Sequence, residues 1–226
     1  MGTLYIIATP IGNLEDITLR ALRILKEVDY ILCEDTRHTL KLLNHFGIKK
    51  SLISYHQHSG LQRVNYIIEL LRDSKQLALV TDAGTPGLSD PGGVLVSKVV
   101  EELGLGVQVV PVPGASALGS ILSVAGLPTN KFTFLGFIPN KKGRQSIFNS
   151  INDSVHTIIF YESPHRILKT LDALVELLDE KRQVVVGREL TKKFETIYRG
   201  SMREVVASLR ADEVKGEFVV LVAGKK

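Results

Sequence analysis

The chain has 226 residues, a formal net charge of +4 and a hydrophobic fraction of 44%. This length supports one large α/β domain or two compact ones, and the composition is typical of a globular protein. No apolar run approaches the roughly 20 residues that span a bilayer. The apolar segment Met1–Thr9 follows no basic region and carries no small-residue cleavage site, so we expect a cytoplasmic protein without a signal peptide. The modest positive charge permits a nucleic-acid partner without requiring one.

Cys33 is the single cysteine, which excludes an internal disulfide and a multi-cysteine zinc site. Its apolar neighbours favour a buried structural thiol over a nucleophile. The histidines lack a convincing metal-ligand spacing, since His56 and His58 merely lie two apart at a predicted strand end. We therefore predict no metal site.

Short apolar runs alternate with helical patterns through the first half of the chain. The predicted strands are Leu4–Ala8, Tyr30–Cys33, Leu52–Tyr55, Leu77–Thr81 and Val107–Val112. Helices are predicted between them, around residues 19–25, 40–46 and 62–71, and from about residue 93 to residue 103. This βαβ series predicts an open parallel sheet with helices on both faces.

The second half repeats this style after a break between about Pro113 and Lys131. The predicted strands are Phe132–Phe137, Thr157–Tyr161, Val184–Val186, Phe194–Tyr198 and Phe218–Val222. A helix is predicted over Ile167–Leu178, a short helix before the last strand, and a polar, basic loop over Ile138–Gly143. We therefore predict an α/β fold with two domains: residues 1–115 with a parallel sheet, and residues 116–226 with a mixed sheet.

Three loops rich in Gly, Pro and small residues follow strands of the first half: Thr9–Asn13, Asp82–Gly92 and Pro113–Ala117. Ligands of open α/β sheets bind beyond the carboxyl ends of the strands, where these loops lie. One such loop is a simple turn, but three at one edge favour a ligand site. The phosphate-binding glycine motifs are missing, and the Asp82–Gly92 loop carries two acids and no lysine. It suits a ligand with a cationic or hydrogen-bond-donating end, such as S-adenosylmethionine, although spacing alone does not select that ligand.

The Asp82–Gly92 segment, DAGTPGLSDPG, resembles the signature loop of the tetrapyrrole methylase superfamily. Five further strings resemble the small-subunit rRNA 2′-O-methyltransferase I family across almost the whole chain. They are TPIGNL from Thr9, EDTR from Glu34, GFIP from Gly136, YESPHR from Tyr161 and RELTK from Arg188. One departure is the segment Gln57–Gly60, where the family commonly has an Asn–Glu pair.

This resemblance implies two α/β domains of the tetrapyrrole methylase type, with S-adenosyl-L-methionine held in a cleft between them. It also implies a homodimer that methylates a cytidine ribose in the decoding region of 16S rRNA. The cofactor-binding residues that it implies are Pro10, Asp82, Gly84, Pro86, Leu88, Ser116, Ala117, Tyr161 and Gly216.

A ribose 2′-hydroxyl is a weak acid, so a nearby base or cation would assist methyl transfer. The candidates are Glu34, Asp35, Arg37, His38, His56 and Glu162. We predict that the catalytic group comprises Glu34, Asp35 and Arg37, at the end of the second strand. The competing interpretation is a helix N-terminus in which Asp35 or Thr36 is the cap and Arg37 is solvated, and both can hold together.

Basic residues of the second half are candidates for contact with RNA: Lys141, Lys142, Arg144, His165 and Arg166. The alternatives are a solvated face for the first three and a helix start after Pro164 for the last two. The sequence is compatible with either naked RNA or the assembled small subunit as the substrate. Two other functions remain: methylation of a small molecule such as a tetrapyrrole or corrin precursor, and binding of RNA or a nucleotide without catalysis.

Overall fold

The sequence forms two α/β units, Met1–Ser116 and Ala117–Lys226, in a computed structural model that describes residues 1–56 and 59–225. Gln57 and His58, in the segment that departs from the family pattern, lie outside the described residues.

The first unit is a five-stranded parallel sheet in the order β3-β2-β4-β1-β5. The strands are β1 (Gly2–Ile7), β2 (Tyr30–Cys33), β3 (Ser51–Ser54), β4 (Gln76–Leu79) and β5 (Val107–Val112). The helices are α1 (Leu19–Glu27), α2 (Thr36–His45), α3 (Leu61–Arg72) and α4 (Gly93–Leu103), with 3₁₀ turns at Leu14–Asp16 and Gly104–Gly106.

Helices cover the sheet of the first unit on both faces, because its strands carry apolar side chains in both directions. Leu4 of β1 belongs to the core that includes Val64 and Ile67 of α3. Ile7 of the same strand belongs to the other core, with Ala21 of α1. Because all five strands are parallel, their carboxyl ends lie at the same edge of the sheet.

The second unit is a five-stranded mixed sheet in the order β6-β7-β10-β8-β9. Its strands are β6 (Phe132–Phe137), β7 (Thr157–Glu162), β8 (Gln183–Arg188), β9 (Thr196–Ser201) and β10 (Phe218–Val222). Only β6 and β7 pair in parallel, and the other pairs are antiparallel. The helices are α5 (Ala117–Val124), α6 (Arg144–Asp153), α7 (Ile167–Val175) and α8 (Met202–Ala211). The last three pack on one core around Phe160 and Val220.

The predicted α/β fold class is confirmed, with one parallel and one mixed sheet in the structure. The sequence patterns missed α5 and α6, and they placed the start of β9 too early, at Phe194. Phe194 instead lies in a turn, where the carboxylate of Glu195 accepts the Thr191 N–H at 2.6 Å. The residue is 64% exposed, as a turn residue outside the sheet can be.

Cys33 is fully buried at the end of β2. Burial, the largest effect, raises the pKa of its thiol, which keeps the group protonated and unreactive. None of the helices in the described parts of the chain combines the length and apolar character needed to cross a bilayer.

Candidate functional site

A reciprocal pair of backbone hydrogen bonds joins the loop after β1 to the loop after β4. The N–H of Thr9 donates to the Gly84 carbonyl at 2.9 Å, and the N–H of Gly84 donates to the Thr9 carbonyl at 3.0 Å. The Thr9 hydroxyl adds a third bond, to the Thr81 carbonyl at 2.9 Å. Two of the three predicted loops are therefore fixed to each other by main-chain contacts.

Gly84 adopts a backbone conformation that requires glycine. Its φ is +85°, and a Cβ there would lie 3.4 Å from the Cγ2 of Ile11 and 3.9 Å from the Ala115 carbonyl oxygen. The third loop joins the other two through the Thr85 hydroxyl, which donates to that Ala115 carbonyl at 3.3 Å. The three predicted loops thus meet at one edge of the sheet, and they meet because β1 lies between β4 and β5.

The loop after β2 reaches the same edge beside the Asp82 loop. The Asp35 N–H donates to Oδ1 of Asp82 at 3.4 Å. The structure therefore places the predicted catalytic group next to the first residue of the predicted cofactor loop.

Asp35 is the N-cap of α2, as the competing interpretation of this cluster expected. Its carboxylate accepts the Arg37 N–H at 2.8 Å, and it also binds the Arg37 guanidinium through Nε at 3.1 Å and Nη2 at 2.8 Å. These bonds, led by the one from the guanidinium, hold the pKa of Asp35 far below its usual range, so it is a poor proton acceptor. The Arg37 side chain is 86% exposed, and Glu34 is also exposed.

The donor and acceptor set at this edge fits S-adenosylmethionine. Asp82 supplies a carboxylate for an ammonium or hydroxyl group, and Gly84 lets the backbone of its loop approach a ligand closely. The Thr81 hydroxyl is buried and has no hydrogen-bond partner among the described residues. A buried hydroxyl without a partner costs free energy, so the end of β4 carries an unsatisfied polar group next to Asp82.

The cofactor residues predicted in the first unit differ in accessibility. Pro10, Gly84 and Pro86 are buried, whereas Asp82, Leu88 and Ser116 are partly exposed. Ala117, the first residue of α5 in the second unit, is also partly exposed. The buried members shape the loops, so any direct contact from them falls to backbone atoms.

Tyr161 and Gly216, the other predicted cofactor residues, belong to the second unit. Tyr161 lies near the end of β7, where its ring packs edge-to-face on Phe134 at 4.9 Å and on Phe137 at 5.4 Å. Gly216 has φ +91° in the turn before β10, and a Cβ there would overlap the Glu189 side chain. Only glycine fits this position.

The RELTK segment holds the Gly216 turn in place. The Glu189 carboxylate accepts the Glu217 N–H at 2.9 Å and the Lys192 ammonium at 2.9 Å. Burial raises the pKa of Glu189, but the bonds from Lys192 and Glu217 outweigh it, so the net pKa is lowered. Arg188 donates to the Lys215 carbonyl at 3.1 Å. The sequence patterns missed these supporting roles. The RELTK string adjoins none of the predicted loops in sequence, so nothing indicated that it would hold the Gly216 turn.

The candidate RNA-binding residues fall into two groups. Lys141, Lys142 and His165 are exposed. Arg144 and Arg166 are partly buried and engaged in hydrogen bonds within the second unit, with Arg166 lying 3.2 Å from the buried carboxylate of Glu162. The structure thus leaves the lysines accessible and gives the arginines an internal role.

The chain is similar to proteins of known family over almost its whole length. The family model described as Tetrapyrrole (Corrin/Porphyrin) Methylases matches residues 3–206. A protein of Halalkalibacterium halodurans named Ribosomal RNA small subunit methyltransferase I is 48% identical over 99% of this chain and 76% of its own length. Proteins of that name from Escherichia coli O157:H7 and Thermotoga maritima are 47% and 44% identical, over 79% and 100% of their lengths and all of this chain.

Solved structures share the fold at lower sequence identity. Diphthine synthase superposes with a TM-score of 0.74 at 15% identity, over 100% of this chain and 91% of that one. Uroporphyrin-III-C-methyltransferase from Thermus thermophilus gives a TM-score of 0.66 at 18% identity, over 99% and 94%. From the family model and the relatives together, the chain belongs to the tetrapyrrole methylase family and, within it, to the ribosomal RNA small subunit methyltransferase I family.

Proposed function

We propose that this chain transfers a methyl group from S-adenosyl-L-methionine to the 2′-hydroxyl of a cytidine ribose in the decoding region of small-subunit rRNA. The observation that carries the proposal is the sequence identity of 44–48% to relatives named Ribosomal RNA small subunit methyltransferase I over almost the entire chain. The joined loops at the edge of the first sheet give that activity a place in the structure.

When bound, S-adenosylmethionine supplies an electrophilic methyl group on a sulfonium. In the transfer, the ribose 2′-oxygen would form the new bond to the methyl carbon as the carbon–sulfur bond breaks, and the hydroxyl proton would pass to a basic group. The protein therefore has to align the acceptor oxygen and exclude water, since the leaving group is already activated.

Residues of the first unit divide this work between binding and alignment. Asp82, with the backbone around Gly84, binds the polar end of the cofactor. Arg37 lies exposed beside this loop, where its guanidinium is suited to hold the acceptor nucleotide. Asp35 fixes the direction of Arg37 through its two hydrogen bonds to that side chain. Glu34 is the remaining carboxylate of the predicted catalytic group.

The first test is incubation of the purified protein with small ribosomal subunits that lack this modification and S-adenosylmethionine carrying a labelled methyl group. Nuclease digestion and mass spectrometry then locate the label. We expect 2′-O-methylcytidine, and we expect Asp82→Ala to abolish it. Binding of S-adenosylmethionine without any label in RNA would refute rRNA methylation and favour a small-molecule acceptor such as a tetrapyrrole precursor.

The assembly and location of the protein are part of the same proposal. We propose a homodimer that acts in the cytoplasm on rRNA or on the assembled small subunit, as the family resemblance implies. Light scattering of the purified protein gives the oligomeric state. Parallel assays with naked 16S rRNA and with assembled subunits distinguish the two substrates.

A further inference from the structure

Glu162 is a charged residue buried inside the second unit, at the end of β7. Its side chain is 0% exposed. The carboxylate accepts the Ser163 N–H at 2.9 Å and the Thr170 hydroxyl at 2.7 Å, and it pairs with Arg166 at 3.2 Å. A buried carboxylate is costly unless it is paired in this way, so the site is specifically built.

Two arginines connect this carboxylate to the loop Ile138–Gly143, here called the basic loop. Arg166 donates to the Ile138 carbonyl as well as pairing with Glu162. Arg144 donates to the Thr170 hydroxyl at 2.7 Å and approaches the Pro139 carbonyl at 3.5 Å. We call Glu162, Thr170, Arg144 and Arg166 the Glu162 network.

The network holds the basic loop near both of its ends. Arg166 binds at the start of the loop, and Arg144 is the first residue after its end, where α6 begins. The guanidinium of Arg144 also lies 4.8 Å from the centre of the Phe148 ring, which fixes its position further. Burial, followed by the like charge of Arg166, lowers the pKa of Arg144, as expected for an arginine drawn into the protein.

Lys141 and Lys142 lie between these two anchors, and both are exposed. No ion pair of either lysine is seen within residues 1–56 and 59–225. Two exposed cations on an anchored loop are suited to contact the phosphates of an RNA backbone. Holding them in place reduces the ordering entropy that RNA binding must offset.

We propose that the Glu162 network is a positioning device that fixes the basic loop so that Lys141 and Lys142 meet RNA phosphates. This inference rests on the proposed action on rRNA. The network residues act through the loop, and the lysines make the contact. Arg144 and Arg166 therefore serve RNA binding from inside the protein.

Thr170→Val tests the proposal, because valine has the shape of threonine but lacks the hydroxyl that joins Arg144 to Glu162. Thr170→Ser keeps the hydroxyl and is the matched control. We expect the KM for small ribosomal subunits to rise roughly fivefold in Thr170→Val, a coupling of ordinary size within one hydrogen-bond network. The dissociation constant of S-adenosylmethionine should stay at the wild-type value in both variants.

A double-mutant cycle shows whether this effect passes through the loop. The double substitution Lys141→Ala, Lys142→Ala should raise the same KM and reduce its salt dependence by about one slope unit per lost phosphate contact. Adding Thr170→Val to that background should cause no further rise. If the rises in KM from Thr170→Val and from the two lysine substitutions multiply in the combined variant, the proposal is overturned. An unchanged KM in the double lysine variant would also overturn it. Neither result would affect the proposed methylation activity, which the wild-type protein tests separately.

Trypsin provides a readout that does not depend on activity. Cleavage after Lys141 and Lys142 should accelerate in Thr170→Val relative to Thr170→Ser, while cleavage after the exposed Lys181 should not change. Equal acceleration at Lys181 would indicate general loosening and overturn the positioning role. If Thr170→Val does not fold, Glu162→Gln takes its place, since it removes the charge and keeps the size of the side chain.

Discussion

The backbone N–H of Asp35 donates to Oδ1 of Asp82 at 3.4 Å, and this bond joins the ends of β2 and β4. Two carboxylates at one edge thus have different tasks. Asp35 is occupied by capping α2 and by Arg37, whereas Asp82 is the first residue of the loop that Gly84 joins to Thr9. A main-chain donor makes this link, so it survives substitution of the Asp35 side chain.

Asp82→Asn should weaken binding of S-adenosylmethionine by about tenfold or more, because a hydrogen bond to a charged group contributes about 1.5–3 kcal/mol. Asp35→Asn is the matched control, since asparagine caps a helix as well as aspartate does. Its binding should stay within about twofold of wild type by isothermal titration calorimetry. Equal losses in the two variants would contradict the division of tasks.

Arg37→Ala should lower kcat for methyl transfer by about tenfold or more and leave the Tm unchanged, because this side chain is 86% exposed. Lys41→Ala removes an exposed cation from the same helix and should leave kcat unchanged. Single-turnover assays on small subunits measure the rate, and differential scanning fluorimetry measures the Tm. Wild-type rates in Arg37→Ala would remove Arg37 from the catalytic group.

Gly216→Ala should destabilise the fold by about 1–3 kcal/mol, because a Cβ at φ +91° is strained and would also overlap Glu189. Gly104→Ala separates these causes, since its φ is +49° but nothing lies within 4 Å of the added Cβ. We expect the smaller loss there, about 1 kcal/mol, from backbone strain alone. Urea denaturation gives both values, and equal losses would mean that contact with Glu189 has no cost.

Glu189→Gln should alter the pH dependence of stability. The pKa of Glu189 is lowered in the folded state, so its contribution is fully present above the unfolded pKa of about 4.3 and is lost as pH falls through the folded value. The free energies of unfolding of wild type and Glu189→Gln should therefore differ most above about pH 5 and converge towards pH 3. A constant difference from pH 7 to pH 3 would show that ionisation of Glu189 is not involved.

Arg182→Met should strongly destabilise the second unit. This guanidinium is buried and donates to the carbonyls of Ile151 at 2.9 Å and Asn152 at 3.1 Å, at the end of α6, and to that of Ala223. Removing it leaves buried carbonyls without donors, each at a cost of about 1–3 kcal/mol. Arg203→Met, at a side chain that is 66% exposed, is the control and should change the Tm little.

The first sheet could be predicted from sequence because its signal is local. Each of its strands is a short apolar run, and parallel order brings the loops that follow them to one edge. Helix α6 was missed although Ile147, Phe148 and Ile151 have helical spacing, because Ser, Asn and Asp fill much of the segment and have low helix propensity. Helix α5 contains Gly119 and Ser120, which give the same weak signal.

The internal contacts of the candidate site could not be predicted, because they join residues that are distant in sequence. The bond from Thr9 to Gly84 needs β4 beside β1, and the bond from Arg144 to Thr170 needs α7 beside the start of α6. The sequence of a basic segment does not reveal whether its side chains contact water or a buried carboxylate. Only packing around Glu162 separates Arg144 and Arg166 from the exposed lysines.

The position of β1 between β4 and β5 has a consequence for how the chain folds during translation. Its two neighbours are β4 and β5, so Thr3 must pair with Gln76 on one side and Gln108 on the other. At about 5–20 residues per second, the ribosome exposes this first strand for several seconds before its partners are made. The apolar strand β1 is therefore open to aggregation or to chaperone binding until β4 and β5 have been synthesised.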